Sequence, residues 1–264
     1  MQPTILVTGA SGNLGSKVAY ELLKSDTSIK VAGRSPSKLA SFEGLAPTLC
    51  GDLEDEAFVQ EALQGVTAVF LVMPALRSLS IREFAGLFTG VAEAAGVTHV
   101  VNISNCTLKR WGKWTSLLEL EQALNGAPRL HIKHLRCANF FENLNWGIHT
   151  PYHPEIRLPY ISSYEIAHTA ANYLQDLHFG GKSVEELMGR RDYSMQDFTN
   201  HLKVHYQQQP LTEENRCFFG AFNSGQYELV RRTKANTSRE TEERFTLEYF
   251  LEHHFNKEAL NTSI

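Results

Sequence analysis

The chain of 264 residues has no run of some eighteen apolar residues, so it offers no candidate membrane span. It also lacks charge of one dominant sign. Twenty-five basic residues face 29 acidic ones, for a formal net charge of −4, and no basic stripe marks a nucleic-acid partner. Cysteine is sparse: Cys50, Cys106, Cys137 and Cys217 have no paired spacing. That excludes a disulfide framework and reads as reduced thiols of a cytoplasmic protein. No basic segment or apolar leader stretch precedes the first strand pattern, so nothing points to secretion. Repeats and low-complexity runs are missing. His201 and His205 stand four apart on a helical pattern, but no His-Glu-x-x-His motif and no third ligand accompany them, so no metal is expected.

The most informative stretch that is present runs from Thr4 to Gly15, Thr-Ile-Leu-Val-Thr-Gly-Ala-Ser-Gly-Asn-Leu-Gly. A short apolar run ends in Gly9, Gly12 and Gly15, spaced three apart. Leu14, Val18, Ala19, Leu22 and Leu23 then recur at helical spacing. This is a strand, a tight turn and a helix N-terminus. The first glycine permits the turn, the second lets the backbone approach a pyrophosphate, and the third lets helix and strand pack closely. The unpaired N–H groups of the turn and first helical residues, Gly9, Ala10, Ser11, Gly12, Asn13, Leu14 and Gly15, face the phosphates together with the positive end of the helix dipole. The motif predicts a dinucleotide site.

The next strand pattern, Ser28–Ala32, runs into Gly33-Arg34-Ser35-Pro36-Ser37-Lys38. A fold of this kind that prefers NAD carries an acid here for the ribose 2′-OH. No acid is present. Arg34 occupies the place, and a guanidinium suits a 2′-phosphate, with Lys38 as a second charge. The expected cofactor is therefore NADP, the plain alternative being an Arg solvated in a loop. A third strand ends at Gly51-Asp52-Leu53, where Asp52 would lie beside the adenine, cap the following helix, or do both. Thr67–Val72 is the most apolar short run and reads as a buried central strand, ending at Val72, Met73 and Pro74 on the carboxyl edge of a sheet. His99–Ser104 is another such strand. Topology places Ser104 and Asn105 near a nicotinamide or substrate, unless they serve only a cap or turn.

Strand patterns near residues 4–8, 28–32, 46–50, 67–72, 97–103 and 130–136 alternate with helix patterns. The expected class is α/β, a doubly wound parallel sheet (Rossmann), with a smaller C-terminal α/β substrate lobe. The expected division is 1–145 for the NADP-binding core and 146–264 for the substrate-binding lobe, partly interleaved with the core. Residues 146–160 are rich in Pro and aromatics and read as a loop over a cleft. Helices are expected at Glu54–Leu63, at residues 81–95, and from Trp114 to Leu124. Later ones are expected at Tyr164–Leu177, at Met195–Tyr206 after a Ser194/Asp197 capping signature, and at about Arg239–His254.

These segments resemble the atypical short-chain dehydrogenase/reductases, most nearly the NmrA-like branch. The Thr-Gly-Ala-Ser-Gly-Asn-Leu-Gly turn, Gly-Arg-Ser-Pro-Ser-Lys, Gly-Asp-Leu and Asn-Ile-Ser carry the likeness. Leu135–Leu144 and Leu158–Ala167 extend it toward residue 200. The resemblance implies NADP binding and places Asn139 and Asn143 at the border of a substrate cleft. It also identifies what is missing. Ordinary members use a Tyr-x-x-x-Lys pair on the helix after the fifth strand, and here the best-matching positions hold Leu117 and Glu121.

Other candidate substrate contacts are Cys106, either reactive or simply packed, and His149 and His153, loop histidines able to supply a proton. Lys109, Arg110 and Lys113 form a basic cluster that is either a solvated turn or an attractor for an anionic acceptor. Two functions remain open. One is an NADP-dependent oxidoreductase that transfers a hydride to a small hydrophobic substrate such as a quinone. The other is a non-catalytic NADP-sensing regulator. A homodimer or a protein partner is compatible with either, and no membrane or nucleic-acid contact is expected.

Overall fold

The computed structural model describes residues 3–262. From the N-terminus the chain forms β1 (Thr4–Val7), α1 (Asn13–Leu22), β2 (Ser28–Gly33), a one-turn α2 (Pro36–Leu39), β3 (Thr48–Cys50) and α3 (Glu56–Leu63). β4 (Ala68–Leu71), α4 (Ile81–Ala94) and β5 (His99–Asn105) follow. A hairpin of β6 (Thr107–Arg110) and β7 (Lys113–Trp114) precedes α5 (Ser116–Leu124) and β8 (His131–Cys137). Then come β9 (Asn139–Phe140), β10 (Leu158–Ile161), α6 (Ser163–Asp176), β11 (Lys182–Leu187) and β12 (Asp192–Tyr193). The chain closes with α7 (Met195–His201), α8 (Glu213–Asn223), β13 (Tyr227–Leu229) and α9 (Leu247–His253).

Seven strands make one sheet in the order β11-β8-β5-β4-β1-β2-β3. β1 pairs in parallel with β2 and β4, β2 with β3, and β4 with β5. The remaining pairings climb in the same sense. His131 N–H donates to Thr98 C=O and Cys106 N–H to Cys137 C=O, while Ile132 N–H donates to Gly181 C=O and Ala138 N–H to Leu187 C=O. The sheet is parallel, and strand order reverses between β1 and β4, the switch point where such sheets open a crevice. β4 is buried along its whole length, as its unbroken apolar sequence requires. Phe84 and Phe88 of α4 and Leu120 and Leu124 of α5 pack with Val69 and Leu71 of β4 in the core of one face.

The chain divides into two compact units. The first gathers residues up to Ser104, Ser116–Arg136 and Ile166–Glu185, and the second gathers Asn105–Thr115, Cys137–Glu165 and the chain from Glu186 onward. The second unit holds two three-stranded sheets, ordered β12-β10-β9 and β13-β6-β7. Its core is aromatic: Phe141, Tyr160, Tyr193, Phe198, Phe222 and Phe250 are all buried in one cluster.

Several local expectations change. The cap of α3 is Asp55, whose carboxylate accepts from the N–H groups of Ala57 and Phe58, so Asp52 does not cap the helix. Trp114 lies in the hairpin opposite Lys109, and the helix begins only at Ser116. Ser194 and Asp197 do form a reciprocal capping box. α7 nevertheless stops at His201, because Lys203 adopts a left-handed φ of 57° that no helix continues through. His201 and His205 therefore share no helical face. α8, capped by Thr212 and Asn215, was not legible from apolar spacing, and the last helix begins at Leu247 rather than near Arg239.

The turn between β1 and α1 shows why two of its glycines are required. Gly9 has φ +65°, a left-handed conformation that a side chain disfavours. Gly15 is different: an added Cβ would fall well inside van der Waals contact distance of the Gly9 carbonyl and 2.8 Å from that of Thr8. Gly15→Ala is accordingly expected to cost about 1–3 kcal/mol through overpacking against unyielding backbone. Thermal melting that shows no loss in the variant would mean that the helix can shift away at no cost.

Candidate functional site

At the carboxyl edge of β1, β2, β3 and β4 the first unit encloses a cavity of about 230 Å³. The glycine turn supplies one wall through Gly9, Ser11 and Gly12, and Arg34 stands at the end of β2. Asp52 and Leu53 follow β3, and Val72, Met73 and Pro74 follow β4. Nine of the residues singled out from sequence thus meet at one place.

The turn is built to receive an anion. Gly12 N–H donates to Gly9 C=O at 2.9 Å, closing the turn, and Ala10 N–H is spent on Ala32 C=O at 3.0 Å. α1 carries no capping side chain and no acid in its first turn. The first amides of the helix, at Asn13, Leu14 and Gly15, are left for a ligand. Leu14 itself is buried beneath the turn, as is Ala10, so any contribution from either is through the backbone. Thr8, which sequence reasoning missed, ties the two sides of the switch point. Its hydroxyl donates to Phe70 C=O at 2.9 Å and accepts from Val72 N–H at 3.0 Å.

Arg34 is exposed at the cavity, and no hydrogen bond or ion pair from another described residue engages it. Lys38, in α2, is exposed but does not line the cavity. Asp52 accepts from Glu54 N–H at 3.1 Å. Ser104 is buried at the carboxyl end of β5, and its hydroxyl has no partner among the described residues. Gly33, Gly51, Phe58 and Ala75 also line the cavity and were not anticipated. The Gly33 and Gly51 positions were legible in principle. A Cβ on Gly33 would come 2.7 Å from the Ser11 hydroxyl, and one on Gly51 would collide with the Phe58 ring.

The wall after β4 hangs on one carboxylate. Glu54 accepts from the N–H groups of Arg77, Ser78 and Leu79 at 2.8, 2.9 and 2.7 Å. Those bonds, that to Leu79 foremost, lower its pKa to about 2.

In the second unit, Asn139 and Asn143 line an aromatic cavity of about 200 Å³. Asn105, Cys106, His149 and His153 do not line it. The Cys106 thiol is buried and pushed up to about 12 by that burial, so it is a packed, protonated thiol. His149 has both ring nitrogens engaged: Nδ1 accepts from Gln207 N–H at 3.2 Å, which leaves Nε2 to donate to Leu260 C=O at 3.1 Å. His153 is exposed, and its Nδ1 accepts from Glu155 N–H. Asn105 is half-buried, with an amide oxygen that has no partner among the described residues. Lys109 pairs with Glu228 at 2.9 Å and Arg110 covers the Phe218 ring at 4.5 Å, so the basic cluster is largely used within the fold.

Leu117 and Glu121 both lie on α5. Glu121 is fully buried, and Arg136 holds both its oxygens, with donor–acceptor distances of 2.7–3.2 Å. Among the described residues no three His, Cys, Asp or Glu side chains gather as a metal site, and no helix is long and apolar enough to cross a membrane.

A glycine turn at a sheet switch point, with open helix amides and a cavity, defines a nicotinamide-dinucleotide-binding domain. Residues 9–136 match the family model described as NAD(P)H-binding. The fold is shared with a nucleoside-diphosphate-sugar epimerase from Staphylococcus aureus, at TM-score 0.76 and 16% identity over 96% of this chain and 100% of that one. It is shared with an NADPH-dependent quinone oxidoreductase from Escherichia coli in complex with NADPH, at TM-score 0.67 and 22% identity over 80% of each chain. NmrA, a negative transcriptional regulator in complex with NADP, matches at TM-score 0.66 and 14% identity over 84% of this chain and 82% of that one. A curated relative from Streptomyces griseus, a (4-alkanoyl-5-oxo-2,5-dihydrofuran-3-yl)methyl phosphate reductase, is 35% identical over 100 residues, 38% of this chain. The matches to curated relatives span only 21% and 34% of those proteins' own lengths.

The depressed pKa of Glu54 makes a pH prediction. A group lowered on folding contributes stability above its unfolded pKa near 4.5, and that contribution is lost as pH falls through about 2. Glu54→Gln is expected to lower the melting temperature at pH 7, and to lose less on acidification between pH 4.5 and 2 than the parent protein. Parallel melting curves for the two proteins across that range would show that the carboxylate does not hold the loop.

Proposed function

We propose that the protein is an NADPH-dependent reductase that passes a hydride to a small hydrophobic acceptor of the quinone type, without the Tyr-x-x-x-Lys pair. The observation that carries the choice of NADP is Arg34, a guanidinium beside the glycine turn with no partner among the described residues. A ribose 2′-phosphate supplies that partner in bidentate form, with Lys38 as a second charge. The open amides of α1 bind and orient the pyrophosphate. When bound, NADPH supplies a hydride from its reduced ring. Ser104 offers an unspent hydroxyl at the carboxyl end of β5. The second unit serves as the substrate lobe in this reading.

The acceptor class follows from α5. Leu117 has no proton to give, and Glu121 is locked to Arg136. Reduction of a simple ketone builds charge on one oxygen and calls for an acid beside it. A quinone spreads that charge over its ring and takes its proton from water. The likeness to the Escherichia coli quinone oxidoreductase and to the Streptomyces oxo-dihydrofuran reductase supports a conjugated acceptor. The missing acid equally suits the second reading, an NADP-sensing regulator, which draws on the likeness to NmrA.

The test pairs binding with turnover. Calorimetry is expected to show tighter binding of NADPH than of NADH, and Arg34→Glu is expected to weaken NADPH by roughly 10- to 100-fold while leaving NADH nearly unchanged. Equal affinity of the parent protein for both cofactors would remove the role given to Arg34. NADPH oxidation is expected with quinones and not with simple ketones. NADPH binding without oxidation by any acceptor would favour the regulator.

A further inference from the structure

The second unit contains a cavity of about 200 Å³ whose composition is unusual for a protein core. Phe218, Phe219, Trp146, Leu144 and Met195 give it apolar, mostly aromatic walls. No ionisable carboxylate, ammonium or guanidinium lines it. Its volume falls below the ~300–1,000 Å³ of pockets for drug-sized ligands, which suits a single small ring.

Besides Thr150, whose hydroxyl is engaged by Tyr206 and by Tyr152 N–H, four polar side chains line this cavity: Tyr152, Tyr160, Asn139 and Asn143. None of their hydroxyl or amide groups is hydrogen-bonded to another described residue. Tyr152 and Tyr160 are nevertheless buried residues, 7% and 4% exposed. Neighbouring groups show the contrast. Tyr206 donates to the carbonyls of Thr150 and Tyr152, both at 2.7 Å, and its hydroxyl meets that of Thr150. The fold satisfies polar groups in this region where it needs them for itself, and leaves these four unspent on one cavity.

We propose that this cavity binds an uncharged planar ring bearing oxygen atoms, with Tyr152, Tyr160, Asn139 and Asn143 as the hydrogen-bond partners of those oxygens. That the ring is also the hydride acceptor rests on the reductase reading; its binding does not. The ring faces stack or meet edge-on with the aromatic walls, which are already arranged that way among themselves, Tyr152 and Phe219 lying edge to face at 4.7 Å. Burial raises the phenolic pKa of Tyr152 and of Tyr160, so both remain protonated donors near neutrality. Two amides add donors and acceptors, so both a carbonyl oxygen and a ring hydroxyl can be received.

The experiment uses the cofactor-free full chain and isothermal calorimetry. Duroquinone is the probe, because its ring methyls block addition to the exposed thiols of Cys50 and Cys217. Durene, the same tetramethyl ring without oxygens, is the control. Duroquinone is expected to bind, with durene at least tenfold weaker. Tyr160→Phe removes only the unspent hydroxyl and keeps the ring packed against Phe198, so it is expected to melt like the parent and to bind duroquinone about tenfold more weakly. Asn143→Leu is expected to weaken binding similarly. Duroquinone affinity unchanged in both variants, or equal affinity for durene, overturns the proposal. Quinone turnover with an unaltered KM in Tyr160→Phe also counts against this site while sparing the reductase reading. Duroquinone binding that depends on Tyr160, without turnover, supports the site and counts against the reductase.

Discussion

The close approach of α1 to the backbone of β1 is the constraint on which the cofactor site depends. The helix begins where Gly15 has no Cβ, directly against the carbonyls of Thr8 and Gly9. That contact fixes the direction of the helix axis, and with it the direction in which the amides of Asn13, Leu14 and Gly15 point. Thr8 extends the same constraint sideways, holding β4 to β1 with one hydroxyl used as both donor and acceptor. The crevice is therefore rigid where phosphates would lie. Its remaining wall, Val72 to Ala75, is held from outside by the Glu54 carboxylate through three backbone amides of the segment that follows.

What the chain revealed in advance follows from the range of the forces involved. Six of the seven strands of the main sheet and the glycine turn were legible because each is a local pattern: apolar runs of strand length, glycines at fixed offsets, a helical stripe just after; β11, a half-exposed edge strand of mixed polarity, carried no such pattern. Arg34 was legible as a replacement at a place the motif already defines. Glu54 and Phe58 were not. Their roles arise from segments that meet only after folding, Glu54 with residues 77–79 and Phe58 with Gly51. Helix ends were missed where a single left-handed residue decides them, as at Lys203. Asp55 displaced Asp52 as a cap because its carboxylate reaches two amides of the first turn, a choice that spacing alone does not make between two aspartates three apart.

On α5, Glu121 is a fully buried carboxylate held by Arg136 of β8. This ion pair ties the helix to the strand. Next to it, His134 bridges Asn102 and Asn125 and is lowered to about 4 by burial, so this row of polar groups is structural at neutral pH.

Loop 147–157 is bound at many points to segments distant in sequence. His149 joins Gln207 to Leu260, Tyr206 gathers the carbonyls of Thr150 and Tyr152, and Asn223 holds both the Pro151 carbonyl and the His153 amide. A connection this heavily stapled has given up its backbone entropy during folding. A small ring entering the adjacent aromatic cavity does not have to order the loop as it binds, so more of the contact energy survives as affinity.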